Sequence, residues 1–134
     1  MDLSKLEIAS ASDEGIRMEI YHPVTEQSFD PPIYVWVVGV DSETWRKHTL
    51  ALQNKRLKKM TQRGRIRLVA SAEEIEADNI EILAKCTLKW ENVEWGGKPL
   101  VCNYDNVKMV FTKLPWLREQ VQAFTEDRAS FLQS

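Results

Sequence analysis

The residue pattern predicts an α+β fold: a small N-terminal antiparallel β-sheet or hairpin followed by about four α-helices. Three features carry that expectation. Apolar and polar residues alternate with period two over residues 16–21, and a β-branched, aromatic run follows over 33–40. Beyond residue 41 the apolar spacing changes to that of helices, punctuated by capping residues and by Pro115.

In the first of these stretches Ile16, Met18 and Ile20 alternate with Arg17, Glu19 and Tyr21, the mark of a strand with one covered face. Asp13-Glu14-Gly15 reads as the turn before it, and Asp30-Pro31-Pro32 as a breaker after it. The run Ile-Tyr-Val-Trp-Val-Val-Gly-Val from Ile33 is apolar on both faces and reads as the central strand. Too few residues separate the two strands for a helical crossover, so they are expected to pair antiparallel.

Asp41 and Ser42 offer N-cap oxygens to a helix that begins near Glu43 and ends before Gly64. At 100° per residue, Trp45, Leu50, Leu52, Leu57 and Met60 fall on one broad face, with Lys47, Lys55, Lys58 and Lys59 opposite. Residues 65–68 alternate briefly, as an extended connector or a short strand. Ser71 and Glu74 have the spacing of a capping box, and the helix they open is expected to run to about Lys89 with Ile75, Ile82, Leu83 and Cys86 buried. Gly96-Gly97 then marks a turn. Asn103 caps a helix whose Val107, Val110, Phe111 and Leu114 share a stripe. Pro115 suits the first turn of another, with Leu117, Val121, Phe124 and Phe131 in line.

The 134 residues, 43% hydrophobic with five tryptophans, fit one domain over 1–134, mainly β to residue 40 and mainly α-helical from 41. The first ten or so residues and the last few are expected to be disordered. No apolar run has the length of a membrane span, no export signal is evident, and Cys86 and Cys102 read as reduced thiols, so an intracellular location is expected. Trp36, Trp45 and Trp90 are expected in the core.

Charge is sharply partitioned beneath a net charge of −2. Residues 1–43 hold nine acids and two bases, 44–67 hold nine bases and no acid, and 68–81 hold five acids and no base. A basic helix of this kind suits an acidic protein surface or, less well, nucleic acid; the acidic whole and the lack of a recognised nucleic-acid motif weigh against the second. The candidates for partner binding are Lys47, Lys55, Arg56, Lys58 and Lys59 from this block, with Trp95 and Trp116 as aromatic anchors beside turns and helix starts.

No residue set has the pattern of a catalytic or cofactor site. His22 and His48 are far apart in the chain, neither cysteine has a second one nearby, and Gly96-Gly97 lacks the context of a phosphate loop. Ser42 follows a strand without the nucleophile-elbow pattern. The expectation is a protein without catalysis, metal or cofactor.

Taken together, Ile33 to Ser42, the basic helix, the acid-led helix, Trp90 with Gly-Gly-Lys-Pro-Leu, Tyr104-Asp105-Asn106-Val107 and Leu114-Pro115-Trp116-Leu117 resemble the tail assembly chaperones of long-tailed bacteriophages. The likeness runs from residue 33 to 131. It implies a non-catalytic protein of the host cell cytoplasm, absent from the mature virion, that coats the tape measure protein and helps tail-tube protein assemble around it. Family members are also commonly made in a longer, frameshifted form. A tape measure exposes apolar helical stripes, which helical grooves can cover. The segregated charges further predict a homo-oligomer in which the basic helix of one copy meets acidic segments of another. Two alternatives remain: a structural tail completion or connector protein, and a small nucleic-acid-binding protein using the basic helix.

Overall fold

The computed structural model describes residues 2–6, 15–62 and 71–127. The Asp13-Glu14 turn, the segment 65–68 and Phe131 lie outside them, as do most of the residues expected to be disordered at the two ends. A short 3-10 helix at Leu3–Leu6, within the stretch expected to be disordered, comes before strands β1 (Ile16–Tyr21) and β2 (Ser28–Val37); helices α1 (Glu43–Gln62) and α2 (Ala72–Lys85) follow. Then come β3 (Thr87–Glu91), a small hairpin of β4 (Glu94–Trp95) and β5 (Lys98–Pro99), and helices α3 (Tyr104–Lys113) and α4 (Pro115–Glu126). The N-terminal antiparallel hairpin and four helices are those the sequence predicts.

β2 is the central strand of a three-stranded antiparallel sheet ordered β1-β2-β3. Its register sends Met18, Ile20, Val35 and Val37 to one face, where they join Ile80 and Leu83 of α2, Val107, Val110 and Phe111 of α3, and Leu117 and Val121 of α4. Two layers result, a sheet with three helices on one side. The edge of β1 is closed at Tyr21, whose N–H donates to Gln120 Oε1 at 3.0 Å and whose carbonyl accepts from Gln120 Nε2 at 2.9 Å. One carboxamide there does the work of a neighbouring strand.

Four expectations need correction. First, Asp30-Pro31-Pro32 does not break the chain but lies within β2. The pairing jumps from Ile20–Ile33 to Tyr21–Ser28, so the prolines sit in a bulge where no ladder N–H is required. Asn92 Nδ2 donates to the Pro32 carbonyl at 2.7 Å and holds that bulge to the next strand. Second, α2 stops at Lys85 rather than near Lys89. Cys86 caps it, the Thr87 hydroxyl donates to the Leu83 carbonyl at 2.8 Å, and the chain turns directly into β3.

Third, Ile75 is not buried in α2; Ile80, Leu83 and Ala84 form its inner stripe. Fourth, Trp36 is not a core residue. It pairs with Arg17 and Lys89 on the face of the sheet opposite the helices, together with Tyr34. Trp45 and Trp90 do pack on the core, and Trp90 Nε1 donates to the Leu100 carbonyl at 2.7 Å.

Candidate interaction surface

Helix α1 starts from a well-anchored end. Ser42, almost wholly buried, donates its hydroxyl to the Gly39 carbonyl at 2.7 Å, and the same oxygen accepts the Trp45 N–H at 3.0 Å. Val40 N–H donates to the Thr125 carbonyl at 3.1 Å and so ties the approach to α1 to the last turn of α4. Trp45 then packs on the core, and Leu52 two turns later is half-buried.

Farther round the same helix the pattern changes. Leu50 lies about 140° round the axis from Trp45, and Leu57 shares its flank because seven residues make almost two turns. Both are open to solvent, Leu50 by 46% and Leu57 by 60%. The broad apolar face expected of α1 is thus split into a buried half and an exposed half. Arg46, also exposed, falls on the exposed flank, and its charge was the signal in the sequence that this flank faces water.

Beside Leu50 the surface is not flat. An open cleft of about 400 Å³ lies between the β2–α1 connection and the first turns of α1, lined by Val40, Trp45, Thr49 and Leu50 and by the charged Asp41, Glu43 and Arg46. The Thr49 hydroxyl oxygen is buried against it without a hydrogen-bond partner. Lys47, Lys55 and Lys58 are exposed along α1. Arg56 and Lys59 belong to the same helical backbone, and their side chains fall outside the described set.

Trp95 and Trp116 are not brought to this surface. Trp116 is half-buried in the first turn of α4, with its ring 6.4 Å from that of Phe29 at the start of β2, whereas α1 leaves beyond the opposite end of that strand. Trp95, 39% exposed on the β4–β5 hairpin, lies under Lys113 Nζ at 5.9 Å, at the α3–α4 corner. The seven candidate residues therefore divide between two ends of the molecule. The turn that presents Trp95 is made by Gly96 and Gly97, both at positive φ, as a two-residue hairpin loop demands.

No family model, curated protein or solved structure matches this chain. Its functional reading rests on the chemistry of its surfaces.

One further cluster lies where α1 meets α2. His48, Lys85, Cys102 and Tyr104 line a second open cleft. Burial lowers the His48 pKa, and the charges of Lys85 and Lys47 push the same way against Glu81. Burial raises that of the Cys102 thiol, against a hydrogen bond from the Trp90 backbone, and that of Tyr104, whose phenol lies 3.5 Å from Glu81. Both shifts favour the neutral forms of imidazole and thiol, the opposite of the lowered thiol pKa that activates a cysteine nucleophile. Among the described residues no three His, Cys, Asp or Glu side chains converge as a metal site, and no helix is long and apolar enough to cross a membrane.

Proposed function

We propose that this protein is a non-catalytic tail assembly chaperone of a long-tailed bacteriophage, which holds helical segments of the tape measure protein against α1 while tail-tube protein assembles. The observation that carries the reading is the exposed pair Leu50 and Leu57 on a helix whose charges beyond Glu43 are all basic. Seven residues at 1.5 Å per residue place them about 10 Å apart along the axis, the heptad spacing of an apolar stripe on a facing helix. The cleft at Leu50 offers a socket for one such side chain. Arg46, Lys47 and Lys58 would meet acids flanking that stripe, which favours orientation and association rate more than affinity.

Modest contact suits the role. Burying the exposed parts of two leucines contributes about 1 kcal/mol each, so the hold on any one segment is weak and reversible, and many copies share a long substrate. The arrangement of Trp90, the Gly96-Gly97 turn, Asn103 and Leu114-Pro115 adds the family likeness. Residence in the host cytoplasm and absence from the finished particle follow from the role.

The test is co-expression with the tape measure protein encoded nearby, followed by pull-down of the wild type and of a Leu50→Asp, Leu57→Asp double variant. Capture by the wild type and its loss in the variant are expected, with Trp95→Ala unaffected. No capture, or equal capture by both, would sink the reading. Detection of the protein in purified virions would favour a structural tail component, and salt-sensitive DNA binding lost on replacing Lys55 and Lys58 would favour the nucleic-acid alternative.

A further inference from the structure

The face of the sheet turned away from the helices carries an ordered charge pattern that the strand register fixes. Arg17, Trp36 and Lys89 stand side by side across the three strands as one row. Glu19, Tyr34 and Glu91 make the next row, two residues along. One row is therefore basic at both edges, its neighbour acidic at both edges, and each has an aromatic ring at its centre. The rings meet edge to face at 6.4 Å between centres. Cations lie over them, Arg17 Cζ at 4.4 Å from the Tyr34 centre and Lys89 Nζ at 4.3 Å from that of Trp36. Neither ring joins the core cluster. The Glu19 carboxylate accepts from the Ser28 hydroxyl, which fixes the orientation of that acid.

We infer that this face is a self-complementary docking surface for a second copy of the same chain. A two-fold axis lying between the stacked sheets, parallel to the rows and midway between them, exchanges the rows. It sets Arg17 against Glu19 of the second copy, Lys89 against Glu91, and Trp36 against Tyr34. An axis along the strands would instead place bases over bases and acids over acids, so the charge pattern selects one of the two alignments. Sheets stack face to face at about 10 Å, a gap that aromatic rings and long charged side chains fill. Leu88 and Tyr21, 49% and 44% exposed, add apolar surface at the margins. This contact is separate from α1 and does not depend on the proposed chaperone role.

The footprint sets the strength. Three strands about 4.8 Å apart and roughly five residues at about 3.4 Å give a patch well under the ~800 Å² per partner of a standard interface. A dissociation constant of roughly 0.1 mM is expected, weakened by added salt because the edge charges are exposed.

Sedimentation velocity over a concentration series at low salt tests it, with Lys89→Glu and Glu91→Lys measured singly and as an equimolar mixture. Each variant alone should associate at least about tenfold more weakly than the wild type, since the two-fold axis repeats the like-charge clash. The mixture should regain association, because its two copies place opposite charges at both contacts. Concentration-dependent amide shifts in the wild type, centred on Arg17, Tyr34, Trp36 and Lys89, supply a readout that needs no variant. A wild type that stays monomeric to about 1 mM, ten times the expected constant, overturns the proposal. So does association that both variants leave unchanged, or a mixture no better than its components.

Discussion

Helices α3 and α4 and helix α1 come from comparable lengths of chain, yet they end differently. In α3 and α4 the apolar stripes are consumed by the fold: Val107, Val110, Phe111, Leu117 and Val121 are all buried. In α1 the first turns are held by Ser42 and Trp45, while Leu50 and Leu57 remain on the surface. The closing pair is architecture. The exposed leucines are the surface on which the proposed binding rests, and the better-formed elements offer no such pair.

The largest effect that would break this comparison is on stability. Phe111 is the largest of the fully buried side chains, on the helix that faces both the sheet and α4. Phe111→Ala is expected to cost about 3–5 kcal/mol of unfolding free energy, read as a fall in the urea midpoint at unchanged slope. Leu57→Ala, removing an exposed side chain, should stay within about 0.5 kcal/mol of the wild type. Similar losses at both sites would mean that α1 is as much a part of the core as α3.

Local signals in the sequence are good where an element's stability is decided locally. β1, the start of α1, the Ser71 and Asn103 caps and the stripes of α3 and α4 are all legible, because alternation, capping oxygens and helical periodicity act over a few residues. β3 is not. Thr87 to Glu91 continues the apolar spacing of α2, and only pairing with β2, some fifty residues earlier, makes it a strand. Trp36 is illegible for a related reason: a run apolar on both faces implies two covers, whereas among the described residues this sheet has helices on one. At the candidate site the basic block is plain from composition, but the exposure of Leu50 and Leu57 is a tertiary property. Arg46 on their flank is the single local hint.

The next effect concerns how α1 is fixed. Ser42→Ala removes the acceptor of the Trp45 N–H and the donor to the Gly39 carbonyl in a buried setting. A loss of about 1–2 kcal/mol is expected. At α3 the Asn103 side chain accepts the Asn106 N–H at 2.8 Å on an exposed surface, so Asn103→Ala should cost less, about 0.5–1 kcal/mol. Chemical denaturation of the two variants checks the order. A reversal would show that α1 gains little from its anchored end, and would undercut the idea of a pre-positioned binding helix.

The smallest effect is a pH dependence confined to one side of the comparison. His48 sits in α1 facing Lys85, Lys47 and Glu81, and burial first, then the two lysines, hold its pKa below the ordinary value of 6.5. The folded state thus favours neutral imidazole, while the unfolded chain takes up a proton near pH 6.5. Its contribution to stability is complete above that value and declines as the pH falls through it toward the depressed folded pKa. Comparing urea midpoints at pH 7.5 and 5.5, the wild type should lose more than His48→Gln, with the difference between them isolating this group from the carboxylates. Amide exchange adds the location. Protection on acidification should fall in α1 ahead of α3 and α4, since the proton is added where α1 meets α2, and uniform loss along the chain would instead mean that α1 opens only with the whole core.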